Sequence, residues 1–159
     1  LLSMASLAQA DVGVGAPPID GAEVLIDGTR ETLDDKWTYW QGPGFKSSLP
    51  IKWPIVEDPV DGGTVMMTDD RVSDGGKFGT ADLVTVQEFR DFRLHVEFRI
   101  AKPNGNSGVY LQNRYEIQVL DSYQNKTYFN GQAASFYGHN APLVNTSRKP
   151  GEWQTYDIV

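Results

Sequence analysis

Two segments in which apolar and polar side chains alternate constrain the fold of this chain more than any other feature. In DFRLHVEFRI, residues 91–100, every second residue is apolar and the residues between them are charged or polar. The segment NGNSGVYLQNRYEIQVLDS, residues 104–122, alternates in the same way on both sides of an Asn-Arg pair. A period of two residues is that of a β-strand with one face on a core. The two segments therefore predict strands with one apolar face and one polar face.

The remainder of the chain also favours short strands joined by turns. Turn-forming residues recur roughly every eight to twelve residues, and no window shows a persuasive helical period. The segment AEVLIDG, residues 22–28, predicts a short strand. KWPIVEDPVDGGTVMM, residues 52–67, predicts a hairpin that turns at 61–63. This spacing of strands and turns is typical of an all-β sandwich or jelly roll.

The turn inside the second alternating segment decides which side chains share a face. A three-residue loop at 113–115 pairs Gln112 with Glu116, whereas a two-residue loop would mix apolar and polar residues on one face. Asn113 tolerates the positive φ that a three-residue loop needs. We therefore predict a polar face of Tyr110, Gln112, Glu116 and Gln118 opposite an apolar face of Val109, Leu111, Ile117 and Val119.

The bulk composition excludes several classes of partner. A formal net charge of −7 offers no basic footprint for nucleic acid or for an anionic membrane surface. No apolar run approaches the roughly 20 residues that span a bilayer, so membrane insertion is not expected. Without cysteine there is no disulfide, thiolate metal site or cysteine nucleophile. The residues identify no cofactor, although carboxylate, amide and backbone oxygens could hold a hard divalent cation.

The first ten residues, LLSMASLAQA, differ from the rest of the chain. They are uncharged and mostly apolar or small, and they end in Ala-Gln-Ala, which is typical of the cleavage site of a secretory signal peptide. We therefore expect a signal-peptide remnant at 1–10, a flexible Gly/Pro-rich leader at 11–21 and one jelly-roll domain at 22–159. Export without cysteine favours a bacterial periplasmic or extracellular protein.

Three segments together resemble one protein family. They are GTADLVTVQEFRDFRLHVEFRI, NGNSGVYLQNRYEIQVLDS and FYGHNAPLVNTSRKPGEWQTYDIV. Over residues 22–159 the chain resembles the domain of unknown function 1080, now called the 3-keto-disaccharide hydrolase domain. The resemblance implies a concanavalin A-like jelly-roll sandwich of antiparallel sheets. Because the family's domain continues past the tryptophan strand, the resemblance also implies a C-terminally truncated chain in which a strand at WQTYDIV would lack a partner.

The resemblance further implies a glycoside substrate whose glucose ring carries a ketone at C3, and hence a partner oxidase that the residues do not identify. A C3 ketone acidifies the C2 proton, so a positioned base could start an elimination that water addition completes; direct hydrolysis is the other route. The elimination does not need the paired carboxylates of a retaining glycosidase, which suits Gln118 in the motif YEIQVLDS. The alternative function is a non-catalytic carbohydrate-binding module, because lectins share this architecture.

The candidate site residues lie on the two polar faces and in one loop. The acid/base candidates are Glu97, Glu116 and His139. The candidates for substrate binding are Arg99, Asn106, Tyr110, Gln112, Gln118 and Trp153. Each carboxylate could instead pair with a neighbouring arginine, Asn106 could cap its turn, and Trp153 could belong to the core. If the two alternating segments adjoin, their polar faces form one hollow that contains both carboxylates.

Overall fold

The computed structural model describes residues 13–40, 50–68, 82–127 and 129–159. The chain divides into two compact units, one built from residues 23–90 and the other from residues 91–159 together with the segment up to residue 22. The expected signal-peptide remnant at 1–10 lies outside the described residues. No helix within the described residues is long and apolar enough to cross a membrane.

The described residues form antiparallel strand pairs and one short helix. The helix α1 spans Arg30–Lys36. The strands are β1 (Trp37–Tyr39), β2 (Ile55–Glu57), β3 (Thr64–Met66), β4 (Leu83–Thr85), β5 (Leu94–Arg99), β6 (Asn106–Leu111), β7 (Tyr115–Leu120) and β8 (Trp153–Ile158). Strand β1 pairs with β4, β2 with β3, β5 with β8, and β6 with β7. The all-β, antiparallel fold class expected for a jelly-roll sandwich is confirmed.

Helix α1 departs from the expectation of strands and turns alone, because two helical turns are too short to display a helical period in the sequence. The Thr29 side chain caps its N-terminus by accepting from the backbone N–H of Thr32 at 3.2 Å. Its buried residue is Leu33, which packs with Tyr39 and Ile51 in the core of the 23–90 unit.

The strand predicted at 22–28 is wrong, since this stretch has no strand in the structure. The carbonyl of Leu25 accepts from the indole N–H of Trp37 at 2.7 Å. The carboxylate of Asp27 accepts from the backbone N–H of Thr29 at 2.9 Å. Side chains therefore provide the hydrogen bonds here that a neighbouring strand would otherwise provide.

The hairpin predicted at 52–67 is confirmed. Glu57 of β2 pairs with Thr64 of β3. Gly62 and Gly63, in the connecting turn, both have a φ of +77°. Glycine is favoured at these two positions because other residues rarely adopt a positive φ.

Strands β5 and β8 pair along the whole length of both strands, from Leu94 opposite Ile158 to Arg99 opposite Trp153. The prediction that a strand at WQTYDIV lacks a partner is therefore wrong, because β5 pairs with it. Alternation gives the pair two faces. One face carries His95, Glu97, Arg99, Trp153, Thr155 and Asp157. The other carries Phe98 and Tyr156, whose ring centroids lie 4.7 Å apart.

Strands β6 and β7 form a hairpin whose turn lies one residue earlier than predicted. The three-residue loop is 112–114, and Tyr110 rather than Gln112 lies opposite Glu116. Gln112 and Asn113 adopt positive φ values of 52° and 54°. The predicted pairing of Gln112 with Glu116 is therefore wrong. The predicted division into a polar and an apolar face still holds. The observed partner of Glu116 differs from the predicted one by two residues, and an even shift leaves every side chain on its face.

Candidate functional site

A third extended segment lies beside β7 and widens the polar face of the hairpin. The N–H of Gln118 donates to the carbonyl of Ser135 at 3.0 Å. The N–H of Tyr137 donates to the carbonyl of Glu116 at 2.9 Å. An antiparallel bridge between these two hydrogen bonds completes the pairing. Tyr137 therefore lies opposite Glu116, and Ser135 lies opposite Gln118.

Two rows of side chains cross this polar face. We call the first the tyrosine row, which consists of Tyr110, Glu116 and Tyr137. The adjacent row consists of Gly108, Gln118 and Ser135. Tyr110 and Tyr137 are 56% and 51% exposed, whereas Gln118 and Ser135 are buried. The Glu116 carboxylate thus belongs to a row with two accessible aromatic residues, next to a row of small or buried polar residues.

Glu116 is held over Gly108. The Tyr110 hydroxyl donates to Glu116 Oε2 at 2.9 Å. A Cβ added to Gly108 would collide with Oε1 of Glu116 and lie 2.8 Å from its Cδ and Cγ. Glycine at position 108 therefore leaves the space that the carboxylate occupies, and the bond from Tyr110 fixes the carboxylate in that space.

A β-bulge at Ala134 and Ser135 positions the third segment. Ala134 has a φ of 62°, and its N–H donates to the carbonyl of Gln118 at 2.9 Å, so two residues lie opposite Gln118. The Tyr156 hydroxyl reaches the same place: it donates to the Gln118 carbonyl at 2.8 Å and accepts from the N–H of Ala134 at 3.0 Å. Burial raises the pKa of Tyr156 to about 12, so its hydroxyl stays protonated near neutral pH. The Tyr156 hydroxyl thereby links β8 to the backbone of β7 at Gln118.

Buried amide and hydroxyl groups lie beside the tyrosine row. Gln132 and Ser135 are fully buried, and the Gln118 side-chain N–H donates to the carbonyl of Gly131 at 3.3 Å. Gln118 Oε1, both polar atoms of the Gln132 amide and the Ser135 hydroxyl oxygen have no hydrogen-bond partner within the described part of the chain. Unpaired buried polar groups are rare in folded proteins because they destabilise the fold. The region next to Glu116 therefore contains several buried polar side chains without a described partner.

The second acid/base candidate, Glu97, belongs to a different cluster. His95 Nδ1 lies 2.8 Å from Asp157 Oδ1, and His95 Nε2 lies 3.3 Å from Glu97 Oε1. The N–H of Gly15, in the expected leader, donates to the same oxygen of Glu97 at 2.7 Å. The hydrogen bond to Asp157, and after it the one to Glu97, raises the pKa of His95 above its ordinary value. This cluster therefore favours a protonated imidazole between two carboxylates.

The structure does not bring the two candidate carboxylates into one contact. Glu116 is bonded to Tyr110, whereas Glu97 is bonded to Gly15 and lies against His95. Strand β8 reaches β7 through Tyr156, which lies on the face opposite Glu97. No contact between described residues therefore supports one hollow that contains both carboxylates.

The other polar candidates are dispersed over this unit. Asn106 lies on the polar face of β6 and is exposed, two strand positions from Gly108. Gln112 lies in the exposed loop after β6. His139 is exposed, and its ring centroid lies 5.0 Å from that of Phe136, whose bridge to Ile117 places Phe136 on the apolar side of β7. None of these three side chains has a hydrogen bond to Glu116.

Arg99 and Trp153 lie opposite each other on the face that carries Glu97. Trp153 is half-buried, so its side chain is neither fully enclosed in a core nor freely exposed to solvent. Among the described residues, neither Glu97 nor Glu116 forms an ion pair with an arginine, so the structural alternative of a carboxylate–arginine pair has no support here. No group of three acidic or histidine side chains in the described ranges is placed to hold a metal ion.

A cavity of about 190 Å³ lies elsewhere in the same unit. Its walls include Gly13 and Val14 of the expected leader, residues 146–148, and residues 154–156 of β8. None of the predicted site residues lines this cavity, so we place the candidate site on the open polar face around Glu116.

Three residues of that face escaped the sequence-based prediction: Gly108, Ser135 and Tyr137. A glycine inside an alternating strand can signal that another group approaches the backbone closely, and Gly108 has this role towards Glu116. Tyr137 and Ser135 gave no local signal, because their place beside β7 depends on a long-range pairing and on the bulge. The motif FYGHN contributed to the family resemblance and gave His139 as a candidate, but its sequence did not point to Tyr137.

Comparisons with known proteins agree with the resemblance seen in the sequence. A curated relative named 3-keto-disaccharide hydrolase, from Bacteroides thetaiotaomicron, is 28% identical over 173 aligned residues, which cover 91% of this chain and 57% of the relative. The chain thus spans less than two thirds of that relative's length. A solved structure of a candidate glycosyl hydrolase from Parabacteroides distasonis is 48% identical and covers 47% of this chain and 35% of that chain, with a TM-score of 0.44. The family model described as the 3-keto-alpha-glucoside-1,2-lyase-like domain matches residues 21–159. The chain therefore belongs to the family of 3-keto-α-glucoside-1,2-lyase-like domains.

Proposed function

We propose that the polar face around Glu116 cleaves glycosides whose sugar ring carries a ketone at C3. One observation carries the proposal: the Glu116 carboxylate is fixed by the Tyr110 hydroxyl at 2.9 Å on an open face, in a row with the exposed Tyr137. A fixed carboxylate within reach of solvent is what a general base needs. Membership of a family described by 3-keto-glucoside chemistry supports the same substrate class.

The chemistry can proceed with one carboxylate. A C3 ketone acidifies the proton on C2, and Glu116 takes that proton while the electron pair moves into an enolate at C2, C3 and the ketone oxygen. The enolate then reforms the ketone and expels the oxygen of the leaving group from C1, which leaves a double bond between C1 and C2. The leaving oxygen takes a proton from the Glu116–Tyr110 pair. Water added across the double bond completes a net hydrolysis.

The neighbours of Glu116 have roles that fit this scheme. Tyr110 holds Oε2, which leaves Oε1 as the oxygen that accepts the proton. Gln118 stands where a retaining glycosidase would need a second carboxylate, and the elimination does not need one. Exposed tyrosine rings supply apolar surface for the C–H faces of a sugar ring.

Glu116 is the better choice of base than Glu97. Glu97 Oε1 accepts from the Gly15 N–H at 2.7 Å and lies 3.3 Å from His95, which in turn contacts Asp157. Glu97 thus belongs to a hydrogen-bonded cluster with the imidazole and a second carboxylate, away from the exposed tyrosine rings. Among the described residues, the Glu116 side chain has one hydrogen-bond partner, Tyr110, which can itself take part in proton transfer.

The test compares two matched variants, Glu116→Gln and Glu97→Gln, incubated with 3-keto-trehalose while released glucose is measured. We expect Glu116→Gln to lose at least about a hundredfold in kcat, the usual contribution of a general base. We expect Glu97→Gln to keep most of its activity, and Glu152→Gln, which changes an exposed carboxylate paired with Lys149, serves as the neutral control. Full activity in Glu116→Gln would refute the assignment of the base.

The second candidate function is a non-catalytic carbohydrate-binding module. The observation that favours it is the same pair of exposed rings, since Tyr110 and Tyr137 would serve a lectin equally well. A binding module predicts that Glu116→Gln weakens sugar affinity and that no oxidised glycoside is cleaved. An enzyme predicts lost turnover with affinity retained.

We also propose that the protein is exported. The support is the small-residue pattern Ala-Gln-Ala that closes the apolar segment at 1–10. Cell fractionation followed by N-terminal sequencing of the mature protein tests this proposal, and a protein that stays in the cytoplasm with residues 1–10 attached would contradict it.

A further inference from the structure

Two exposed aromatic rings converge at one end of the tyrosine row. Phe129 and Tyr137 are 46% and 51% exposed. A Cβ added to Gly131 would lie 2.8 Å from Phe129 Cε2 and 3.6 Å from Tyr137 Cε2, so both rings lie against the same glycine. We call Phe129 and Tyr137 the aromatic platform. A side chain at position 131 would crowd Phe129, whereas the distance to Tyr137 is an ordinary van der Waals contact.

The aromatic platform is fixed by backbone hydrogen bonds and not by burial. The N–H of Gly138 donates to the carbonyl of Asn130 at 2.8 Å, which closes the loop that carries both rings. The N–H of Tyr137 donates to the carbonyl of Glu116 at 2.9 Å, which anchors the loop on β7. Rigid and exposed aromatic surface is unfavourable in water, and it is characteristic of sites that bind a ligand.

The chemistry of the platform differs from that of Tyr110 at the other end of the row. Tyr110 uses its hydroxyl to bond Glu116. The hydroxyl of Tyr137 has no hydrogen bond to another described residue, so Tyr137 presents its ring without a side-chain link to Glu116. Neighbouring strands lie about 4.8 Å apart, which is close to the width of one sugar ring. Tyr137 lies one strand spacing from Glu116, so a sugar ring attached to the reacting ring is within reach of the platform.

We infer that the aromatic platform binds the leaving group of the substrate by stacking, so that Phe129 and Tyr137 determine how strongly a cyclic leaving group is preferred over a small one. The inference rests on the proposed function, because it places the oxidised ring over Glu116. It adds a determinant of specificity that touches no reacting atom. The apolar C–H face of the leaving sugar covers the rings of Phe129 and Tyr137, while its hydroxyl groups remain in water.

The test measures kcat/KM on two substrates that share the oxidised ring: 3-keto-trehalose, with a sugar as leaving group, and methyl 3-keto-α-glucoside, with a methoxy group. We expect Phe129→Ala to lower kcat/KM for the disaccharide by about three- to tenfold, the range of one aromatic contact, and to leave the methyl glycoside unchanged. Tyr137 also borders the reacting ring, so Tyr137→Ala should lower kcat/KM for the disaccharide about three- to tenfold more than for the methyl glycoside. Tyr137→Phe keeps the ring and should keep the preference. Tyr123→Ala removes an equally exposed ring that follows β7 and serves as the control.

Equal losses of kcat/KM on both substrates, or no loss on either, would refute the proposal that the aromatic platform binds the leaving group. If the wild-type protein cleaves neither substrate, the proposed function fails, and the platform is decided by binding instead. Isothermal titration with trehalose and methyl α-glucoside should then show tighter binding of trehalose, and Tyr137→Ala should abolish that preference while Tyr123→Ala keeps it. Equal affinities of the wild-type protein for the two sugars, or an unchanged preference in Tyr137→Ala, would remove the platform as a binding site.

Discussion

Replacement of Gly108 by alanine tests the geometry of the candidate site without any substrate. A Cβ at position 108 would collide with Oε1 of Glu116, so the carboxylate has to move away from the sheet and lose the hydrogen bond from Tyr110. No positive φ requires glycine at this position, so the backbone itself accepts alanine. The perturbation therefore acts on Glu116 alone.

The expected magnitude follows from two opposing effects. Alanine in a strand is more stable than glycine by roughly 0.5–1 kcal/mol, because glycine loses more backbone freedom on folding. Loss of the Tyr110–Glu116 bond destabilises the fold by about 0.5–1.5 kcal/mol, and displacement of the packed carboxylate adds to this loss. We expect Gly108→Ala to lower the free energy of unfolding slightly in the wild-type background. In a Glu116→Ala background the same change should raise it by roughly 0.5–1 kcal/mol.

The assay is urea unfolding of the wild type, the two single variants and the double variant, which form a double-mutant cycle. We expect a coupling energy between positions 108 and 116 of about 1–2 kcal/mol. Gly105 is unsuitable as a control, because a Cβ there would press on Ile100. Gly138→Ala changes an open position at positive φ, and its effect should be the same in both backgrounds. A coupling energy within error of zero between 108 and 116 would refute the contact.

Three further predictions concern the surroundings of the site. Tyr156→Phe should lower the free energy of unfolding by about 1–2 kcal/mol in urea titrations, because it removes two hydrogen bonds at the bulge while the ring stays in place; no change would show that the hydroxyl does not tie β8 to β7. The contribution of His95 should be complete below about pH 6.5 and should disappear as the pH rises through its raised folded pKa. Asp157→Asn should therefore destabilise the protein more at about pH 5.5 than at about pH 8.5, and a larger effect at high pH would contradict the direction of the shift. Gln132→Met should leave stability unchanged or raise it by up to about 2 kcal/mol in thermal unfolding, since the buried amide has no hydrogen-bond partner among the described residues, and a clear loss would show that the amide is hydrogen-bonded.

Alternation alone located most of the long strands of the 91–159 unit. Residues 94–99, 106–111, 115–120 and 153–158 are strands within the segments that the sequence singled out. The division of the hairpin into a polar and an apolar face was also correct, because a period of two fixes the face even when the pairing partner is wrong. The turn was misplaced by one residue because Gln112 adopts a positive φ that its residue type does not suggest.

The sequence predicted the residues of the candidate site less well than it predicted the strands. Alternation says which side chains share a face of one strand, but not which strands are neighbours. Glu97 and Glu116 were therefore grouped together, although the structure places Glu97 with His95 and Asp157. Tyr137 joins Glu116 through a pairing that begins at a bulge, and the bulge depends on an alanine with a φ of 62°. Alanine at a left-handed position leaves no signal in a sequence.

The Tyr156 hydroxyl has a consequence for the order of folding. It joins positions 118 and 156, which are 38 residues apart, whereas β6 and β7 are neighbours in the chain. Closing the longer loop costs more chain entropy, so the local hairpin is expected to form first. The polar face around Glu116 would then gain the hydrogen bonds from Tyr156 only when β8 docks. During synthesis on the ribosome, a nascent chain that has not yet released residues 153–158 would carry Glu116 on a formed hairpin but without the two hydrogen bonds that Tyr156 makes at the bulge.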